Sequence, residues 1–200
     1  DRSSKSFVPA AQNAFILPQA KSDVAWTDAN TLLVATDYGA DSMTSSGYPR
    51  IVKQWTRGTP LASAKTVAQG KADDVRLYPI TLEDKDHRWS IIGRAPSFYT
   101  SEYSILSQDG RRYLPMNLPN TADLRGVLNG HAILLLNQPH ADHPQGALVS
   151  VSLADLAAGR PAPLQLVMAP TPAQAIEQVT TTDNILWVKA LDDVEGKLFA

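Results

Sequence analysis

The feature that most restricts the fold of this chain is a short apolar segment that recurs four times. Each copy has three to five apolar residues, follows a polar turn and precedes a polar loop, as expected of a buried β-strand. The four segments lie at 31–34, 89–92, 132–136 and 184–188. Equivalent positions are 58, 44 and 51 residues apart, counted between Leu33, Ile91, Leu135 and Leu186. A four-stranded propeller blade occupies about 40–50 residues, so this spacing favours a β-propeller.

A second strand pattern precedes each of these segments and strengthens that prediction. The preceding segments mix apolar and polar residues and lie at 23–26, 74–77, 123–127 and 175–179. A two-sheet sandwich gives no reason for a pair of strands that recurs with this period. We therefore expect an all-β chain, a partial β-propeller with about four blades of four antiparallel strands, in which the preceding segments are innermost.

The chain is expected to form one domain. Its 14 prolines and 11 glycines are scattered, so no flexible linker divides it. Helical periodicity is limited to two short candidates, at 153–158 and 172–178. The predicted organisation is a lead-in segment at 1–22 and blades at roughly 23–70, 71–118, 119–170 and 171–200, the last of them incomplete.

The charge balance and the residue inventory exclude several classes of function. There are 18 Lys+Arg against 20 Asp+Glu, which argues against a nucleic-acid or anionic-membrane partner held by bulk charge. The longest apolar run, at 132–136, is far shorter than the roughly 20 residues that span a bilayer. The absence of cysteine excludes disulfides, zinc–thiolate sites and thiol catalysis, and leaves the compartment open between cytoplasm and periplasm. The opening residues, 1–4, look like the start of a piece excised from a longer protein.

Two groups of potential metal ligands are interpreted as loops. The segment 140–143 (His-Ala-Asp-His) offers two imidazoles and a carboxylate, but no remote third ligand is evident, so an exposed loop between strands is expected. The segment 192–196 (Asp-Asp-Val-Glu-Gly) resembles half of a calcium loop, but it lacks the EF-hand spacing and suits a hairpin turn. Gly-x-Gly and Gly-Lys-Ser phosphate motifs are also missing, and neither a metal nor a cofactor is predicted.

Two charged stretches are interpreted as solvated surface. Arg50, Lys53 and Arg57 flank Trp55 on one predicted strand and could contact phosphate. In an acidic chain, a solvated strand face whose side-chain stems cover apolar neighbours is the expected arrangement. The run 83–86 (Glu-Asp-Lys-Asp) could supply acid and base groups as in glycosidases, yet its mixture with basic neighbours favours a loop between strands.

Two segments of the first hundred residues follow long, distinctive sequence patterns. The segment 15–26 (FILPQAKSDVAW) resembles the pattern GFxLPEAKS-xxxW, with Gln19 in place of the usual Glu. The segment 46–61 (SGYPRIVKQWTRGTPL) resembles the long pattern SGYPRIVKxWxRGTPL. Both patterns are found in prolyl oligopeptidase family serine peptidases. The likeness continues more weakly through 128–136 and 146–151, so about three quarters of the chain resembles the N-terminal propeller domain of that family.

The resemblance implies a seven-bladed propeller that covers the active site of an α/β-hydrolase domain and admits short peptides but not folded proteins. A nucleophile elbow needs Gly-x-Ser-x-Gly, and the only two glycines four residues apart, Gly126 and Gly130, enclose Leu128. No catalytic residue is therefore expected. The predicted function is that of a non-catalytic gating fragment. Its partners would be the hydrolase domain of a longer parent peptidase, of which this chain is a part, and the oligopeptide substrates of that peptidase, commonly cleaved after proline.

One other function and one property of the fragment are also expected. The alternative function is a stand-alone propeller-like scaffold that binds a protein or a carbohydrate. Seven blades need roughly 300 residues, so a chain of this length would form an open arc with an apolar blade face at each end. Such a fragment is expected to self-associate end to end or to cover its exposed blade.

Overall fold

The structure, a computed structural model, describes residues 3–85, 87–182 and 184–200. Strands dominate these residues, with one short α-helix, α1 (Leu153–Ala157), and 3-10 turns at Ala10–Gln12 and Leu61–Ser63. The strands are β1 (Asp23–Asp28), β2 (Thr31–Ala35), β3 (Ile51–Thr56), β4 (Lys65–Gln69), β5 (Arg76–Asp84), β6 (His87–Ser97), β7 (Thr100–Leu106), β8 (Tyr113–Pro115), β9 (Ala122–Leu128), β10 (His131–Leu136), β11 (Leu148–Ser152), β12 (Gln165–Met168), β13 (Gln174–Thr182), β14 (Ile185–Asp192) and β15 (Glu195–Phe199).

The strands of the described residues form four antiparallel sheets. Three sheets have four strands, in the orders β1-β2-β3-β4, β5-β6-β7-β8 and β9-β10-β11-β12, and one has three, β13-β14-β15. Each strand pairs only with its neighbours along the chain, which is the up-and-down order of a propeller-like fold. The prediction of an all-β chain built from recurring antiparallel sheets is confirmed. The blade limits, the innermost position of the first strands and a seven-bladed parent stay predictions.

The recurring apolar segments form the second strand of each sheet. All five residues of β2 are buried, and so are five of the six in β10. These strands lie between two neighbours and are covered on both faces, so their apolar residues run on without alternation. The segments that precede them in the sequence form the first strands, β1, β5, β9 and β13.

The two helical predictions have opposite outcomes. The candidate at 153–158 is confirmed as α1, whose first turn is capped by Ser152 Oγ accepting the Asp155 N–H at 3.2 Å. The candidate at 172–178 is wrong, because β13 covers most of it and pairs with β14 along its whole length. Ile176 and Val179 pack against the buried cluster around Val188, so packing outweighs the local helical pattern.

The residues divide into two compact units, each with its own core. Unit 1 runs to Thr81 and includes Ile92–Pro96, and unit 2 consists of Leu82–Ile91 with Ser97–Ala200. In unit 1, Leu32 and Val34 form one face of the first sheet, and Phe15 and Leu17 of the lead-in segment pack against it. Part of this face is therefore covered by the chain itself.

In unit 2, the third and fourth sheets pack face to face. Ile133, Leu135 and Leu148 of the third sheet meet Val188 of β14, and all four are buried. Within the described ranges the longest α-helix has five residues, and none is long and apolar enough to cross a membrane.

Candidate functional site

The three basic residues around Trp55 are half-buried and are engaged within the protein, in contrast to the solvated face that was predicted. Arg50 Nη1 donates to Gly70 O at 3.3 Å. The Lys53 ammonium lies 4.2 Å from the centre of the Tyr38 ring. These contacts direct both charges to groups of unit 1.

Arg57 fastens the lead-in segment to the first sheet. Its Nη1 donates to Asn13 O at 3.1 Å, while Nη2 and Nε reach the β1–β2 turn at Ala29 O (2.9 Å) and Asn30 Oδ1 (3.2 Å). The guanidinium spreads its donors over three nitrogens in one plane and so reaches all three acceptors, whereas a lysine ammonium carries its three donors on a single nitrogen. These hydrogen bonds give a structural reason for the arginine that the pattern of segment 46–61 has at position 57.

The same guanidinium covers an aromatic cluster. It lies 4.6 Å from the ring centre of Phe15 and 5.8 Å from that of Trp26. Phe15 in turn makes edge-to-face contacts with Trp26 and Trp55, at centroid distances of 5.6 and 4.8 Å. The two segments that carry the family resemblance, 15–26 and 46–61, thus meet in one cluster. A largely apolar cleft of about 740 Å³ opens beside it.

A buried ion pair holds the segment that follows the first sheet. Asp74 is 2% exposed and accepts two hydrogen bonds from Arg94, Nη2 to Oδ1 at 2.7 Å and Nε to Oδ2 at 2.9 Å. The Lys71 N–H donates a third to Oδ2 at 2.6 Å. Burial by itself would raise the pKa of Asp74, but the hydrogen bonds from Arg94 and Lys71 outweigh it and the pKa is lowered. The carboxylate is therefore ionised and committed to structure.

A second cleft, in unit 2, combines exposed aromatic side chains with amides. Phe98 and Tyr99 form the tip of the β6–β7 turn and are largely exposed. The turn is fixed by the 2.8 Å hydrogen bond between Ser97 Oγ and Thr100 Oγ1 and by the Tyr99 N–H on Ser97 Oγ. The adjoining cleft of about 400 Å³ is lined mainly by polar side chains: Ser101, Asn120, Thr121, Asp123, Asn137 and Gln138. Amides and hydroxyls of this kind pair with an extended peptide backbone, and the aromatic tip offers a surface for an apolar side chain.

Sequence reasoning missed this cleft, although a signal for it exists. Turns favour Gly, Asn and Asp, and two consecutive aromatic residues between Ser97 and Thr100 depart from that rule. The amides come from loops about twenty and forty residues further along the chain, which only the sheet topology brings together.

The potential metal ligands lie in or next to turns. His140 and His143 pair with each other through backbone N–H···O bonds of 3.0 Å in both directions, which makes the segment a tight loop. Asp192 accepts hydrogen bonds from Lys197 Nζ at 2.6 Å and Gln174 Nε2 at 3.1 Å, and both lower its pKa. In the residues that the structure describes, no three His, Asp or Glu side chains are grouped so as to hold a metal ion.

The described part of the acidic run, residues 83–85, contacts three different partners. Glu83 forms an ion pair with Arg88 at 3.0 Å. Asp84 Oδ2 accepts the Gly130 N–H at 2.6 Å, and Lys85 Nζ donates to Asn129 Oδ1 at 2.9 Å. Asp86 lies outside the described residues. Since their partners hold these side chains apart, the two described carboxylates of the run, Glu83 and Asp84, do not face each other as a pair.

The two glycines with elbow spacing also lie in a β environment. Gly126 belongs to β9, and Leu128 is the last residue of that strand. Asn129 and Gly130 form the turn to β10, with positive φ values of 49° and 75°. The segment is a strand–turn–strand unit, whereas a nucleophile elbow joins a strand to a helix.

Comparison with known proteins shows what the chain is similar to. No family model matches the chain. It is 29% identical over 200 residues to "Uncharacterized peptidase y4nA" of Sinorhizobium fredii, covering 94% of this chain and 27% of that protein. It is 22% identical over 183 residues to "Uncharacterized peptidase RP174" of Rickettsia prowazekii, covering 86% of this chain and 25% of that protein. A solved structure, a post-proline cleaving enzyme from Rickettsia typhi, superposes with a TM-score of 0.85 and 21% identity over 99% of this chain and 31% of its own.

The expected resemblance to peptidases is confirmed, because both curated relatives are named as peptidases and the solved post-proline cleaving enzyme shares the fold. The chain spans about a quarter of the length of the two curated relatives. The solved structure, at 21% identity, shows that the fold is shared over nearly the whole chain.

Proposed function

We propose that this chain is the non-catalytic, propeller-like part of a serine peptidase that cleaves short peptides. The observation that carries the proposal is the likeness, over 94% of the chain, to a peptidase almost four times as long. The sequence has no Gly-x-Ser-x-Gly, so the nucleophile would belong to another part of such a protein. In that protein the sheets would restrict entry to short peptides, including those cleaved after proline.

The cleft beside Phe98 and Tyr99 is the surface to which we assign peptide contact. Its amides can pair with backbone groups of any sequence, which suits a filter that selects peptides by length and extension. Its turn is held by side-chain hydrogen bonds, so little ordering is needed on binding. The parent's hydrolase domain is the second partner that the proposal assigns to this part of the protein.

The absence of catalysis is tested with the chain alone and with the full-length protein. We expect the chain to leave proline-containing chromogenic peptides intact and to escape labelling by a fluorophosphonate probe, because no activated serine is available. The full-length protein is expected to hydrolyse the peptides and to be labelled. Labelling of a serine within this chain would overturn the proposal.

Gating is tested by a disulfide that links the first strands of the third and fourth sheets, β9 and β13. A Cβ built at Gly126 lies 3.8 Å from Thr181 Cγ2, so cysteines at these positions of β9 and β13 are close enough for a disulfide to be attempted. This region has no other cysteine to compete. In the full-length protein, we expect the oxidised double variant to cleave peptides more slowly and to recover on reduction. The Thr181→Cys variant serves as the control. Equal rates before and after reduction of a verified disulfide would contradict a gating role.

A further inference from the structure

The outer edges of the four sheets are not equally protected. An exposed sheet edge can pair with another chain, and proteins discourage this with charged residues or proline on the edge strand. The eight edge strands among the described residues are β1, β4, β5, β8, β9, β12, β13 and β15. Within this set β12 alone contains neither a charged residue nor a proline. The corresponding last strands β4 and β8 carry Lys65 and Pro115.

The side chains of β12 add to this exposure. Leu166 and Val167 are 51% and 43% exposed, although both are apolar. One side of β12 pairs with β11, with Val149 opposite Leu166, and the other side has no strand beside it among the described residues. The sequence between Arg160 and Glu177 carries no charge, so no nearby like charge opposes an approaching strand.

We propose that β12 is a self-pairing edge, where a second copy of this chain adds its own β12 antiparallel about a twofold axis. With the axis between the two central residues, Leu166 of each copy lies opposite Val167 of the other, and Gln165 lies opposite Met168. The two central residues, Leu166 and Val167, then each meet an apolar residue, Met168 meets the uncharged Gln165, and no charged group is buried. This self-complementarity favours a second copy over a partner of different sequence, because a twofold contact uses the same patch on both chains.

The short length of the strand sets the strength of the dimer. Four residues a side bury far less than the roughly 1,200 Å² of a standard interface, which places the contact in the weak class. We therefore expect a dimer that forms only at high protein concentration. The small net charge of −2 opposes this association little.

Sedimentation velocity from about 10 µM to about 1 mM tests the proposal, a range suited to a weak interface. The weight-average mass of the unmodified chain is expected to rise toward twice the monomer mass. Val167→Lys places a charge on the edge and is expected to abolish the rise. Thr66→Lys, at an exposed position of β4, is the matched control and is expected to dimerise like the unmodified chain. Circular dichroism shows that each variant is folded.

Hydrogen exchange locates the contact. The amides of 165–168 are expected to exchange more slowly at high protein concentration in the unmodified chain and not in Val167→Lys. The proposal is overturned if the mass stays monomeric throughout, or if Val167→Lys associates as strongly as the unmodified chain. It is also overturned if only Leu198→Lys abolishes association, since Leu198 belongs to the separate sheet of β13–β15.

Discussion

Replacing Arg94 by methionine removes the guanidinium from the buried ion pair and leaves the Asp74 carboxylate in place. Asp74 is 2% exposed and Arg94 26% exposed, so the carboxylate cannot turn to solvent. Of its hydrogen bonds described above, only the 2.6 Å bond from the Lys71 N–H would remain. Removing one partner of a buried ion pair costs about 3–5 kcal/mol. We expect the free energy of unfolding at pH 7 to fall by an amount near the lower end of that range, because Arg94 is partly hydrated.

The pH dependence of this loss has a definite sign. In the unmodified chain the pKa of Asp74 is lowered, so its contribution is present above the unfolded-state pKa of about 4 and disappears as the pH falls through the folded-state pKa. In Arg94→Met, burial is opposed mainly by Lys71, and the pKa of Asp74 is expected to rise. Between pH 7 and pH 4, protonation of Asp74 then relieves the variant, while the ion pair of the unmodified chain stays ionised. The stability difference between the two should narrow as the pH is lowered from 7 toward 4.

Urea unfolding followed by circular dichroism gives this difference at each pH. Exchange of the Val75 amide, which donates to Ala95 O at 2.8 Å, reports on unit 1 alone. Arg160→Met is the matched control, because Arg160 pairs with Asp155 at 2.6 Å on the surface and such pairs contribute at most about 1 kcal/mol. A loss no larger than that of the control, or a difference that stays constant between pH 7 and pH 4, would refute the reasoning.

Three further substitutions have defined outcomes. Gly93→Ala places a Cβ 2.5 Å from the Tyr78 ring, so urea unfolding should show a loss of about 1–3 kcal/mol. Adding Tyr78→Leu should recover part of it, and a double variant without recovery would contradict a steric cause. Val194→Gly should raise the free energy of unfolding measured in urea by about 0.5–1 kcal/mol, because Val194 has φ of 70° and left-handed backbone costs about 1–2 kcal/mol for such a residue, part of which the flexibility of glycine offsets; a lower free energy of unfolding would count against it. Arg57→Lys should accelerate proteolysis of the segment 13–17 and Lys53→Arg should not, and equal cleavage in both would show that Arg57 does not fasten the segment.

The regular part of the fold is predictable from this sequence because it depends on local pattern. The second strands are apolar throughout and recur at intervals that a sheet of four strands explains. The turn at Asp193 and Val194 follows from its neighbours, since two apolar runs separated by polar residues suit a hairpin. The predicted helix at 172–178 is wrong because its helical spacing was weak, and pairing with β14 makes most of this segment a strand.

The candidate sites are less predictable because they depend on residues far apart in sequence. Asp74 and Arg94 are twenty positions apart and meet only through the turn of β5 and β6. From the sequence alone, Arg57 is interpreted as a surface charge. Only the folded structure shows that Asn13 and Phe15 of the lead-in segment lie beside it. The cleft at Phe98 has the same origin, since its amides come from later loops.

Pairing of each strand only with its sequence neighbours also affects how the protein is made. The first sheet is finished at Gln69, and none of its strands requires a residue from a later sheet. Ribosomes add about 5–20 residues per second. Hairpins close within about 1–10 µs. A nascent chain can therefore complete its first sheet seconds before the strands of the third are synthesised. At any moment of translation, the newest sheet is the one whose strands still lack partners, which limits the time for which apolar strands are open to aggregation.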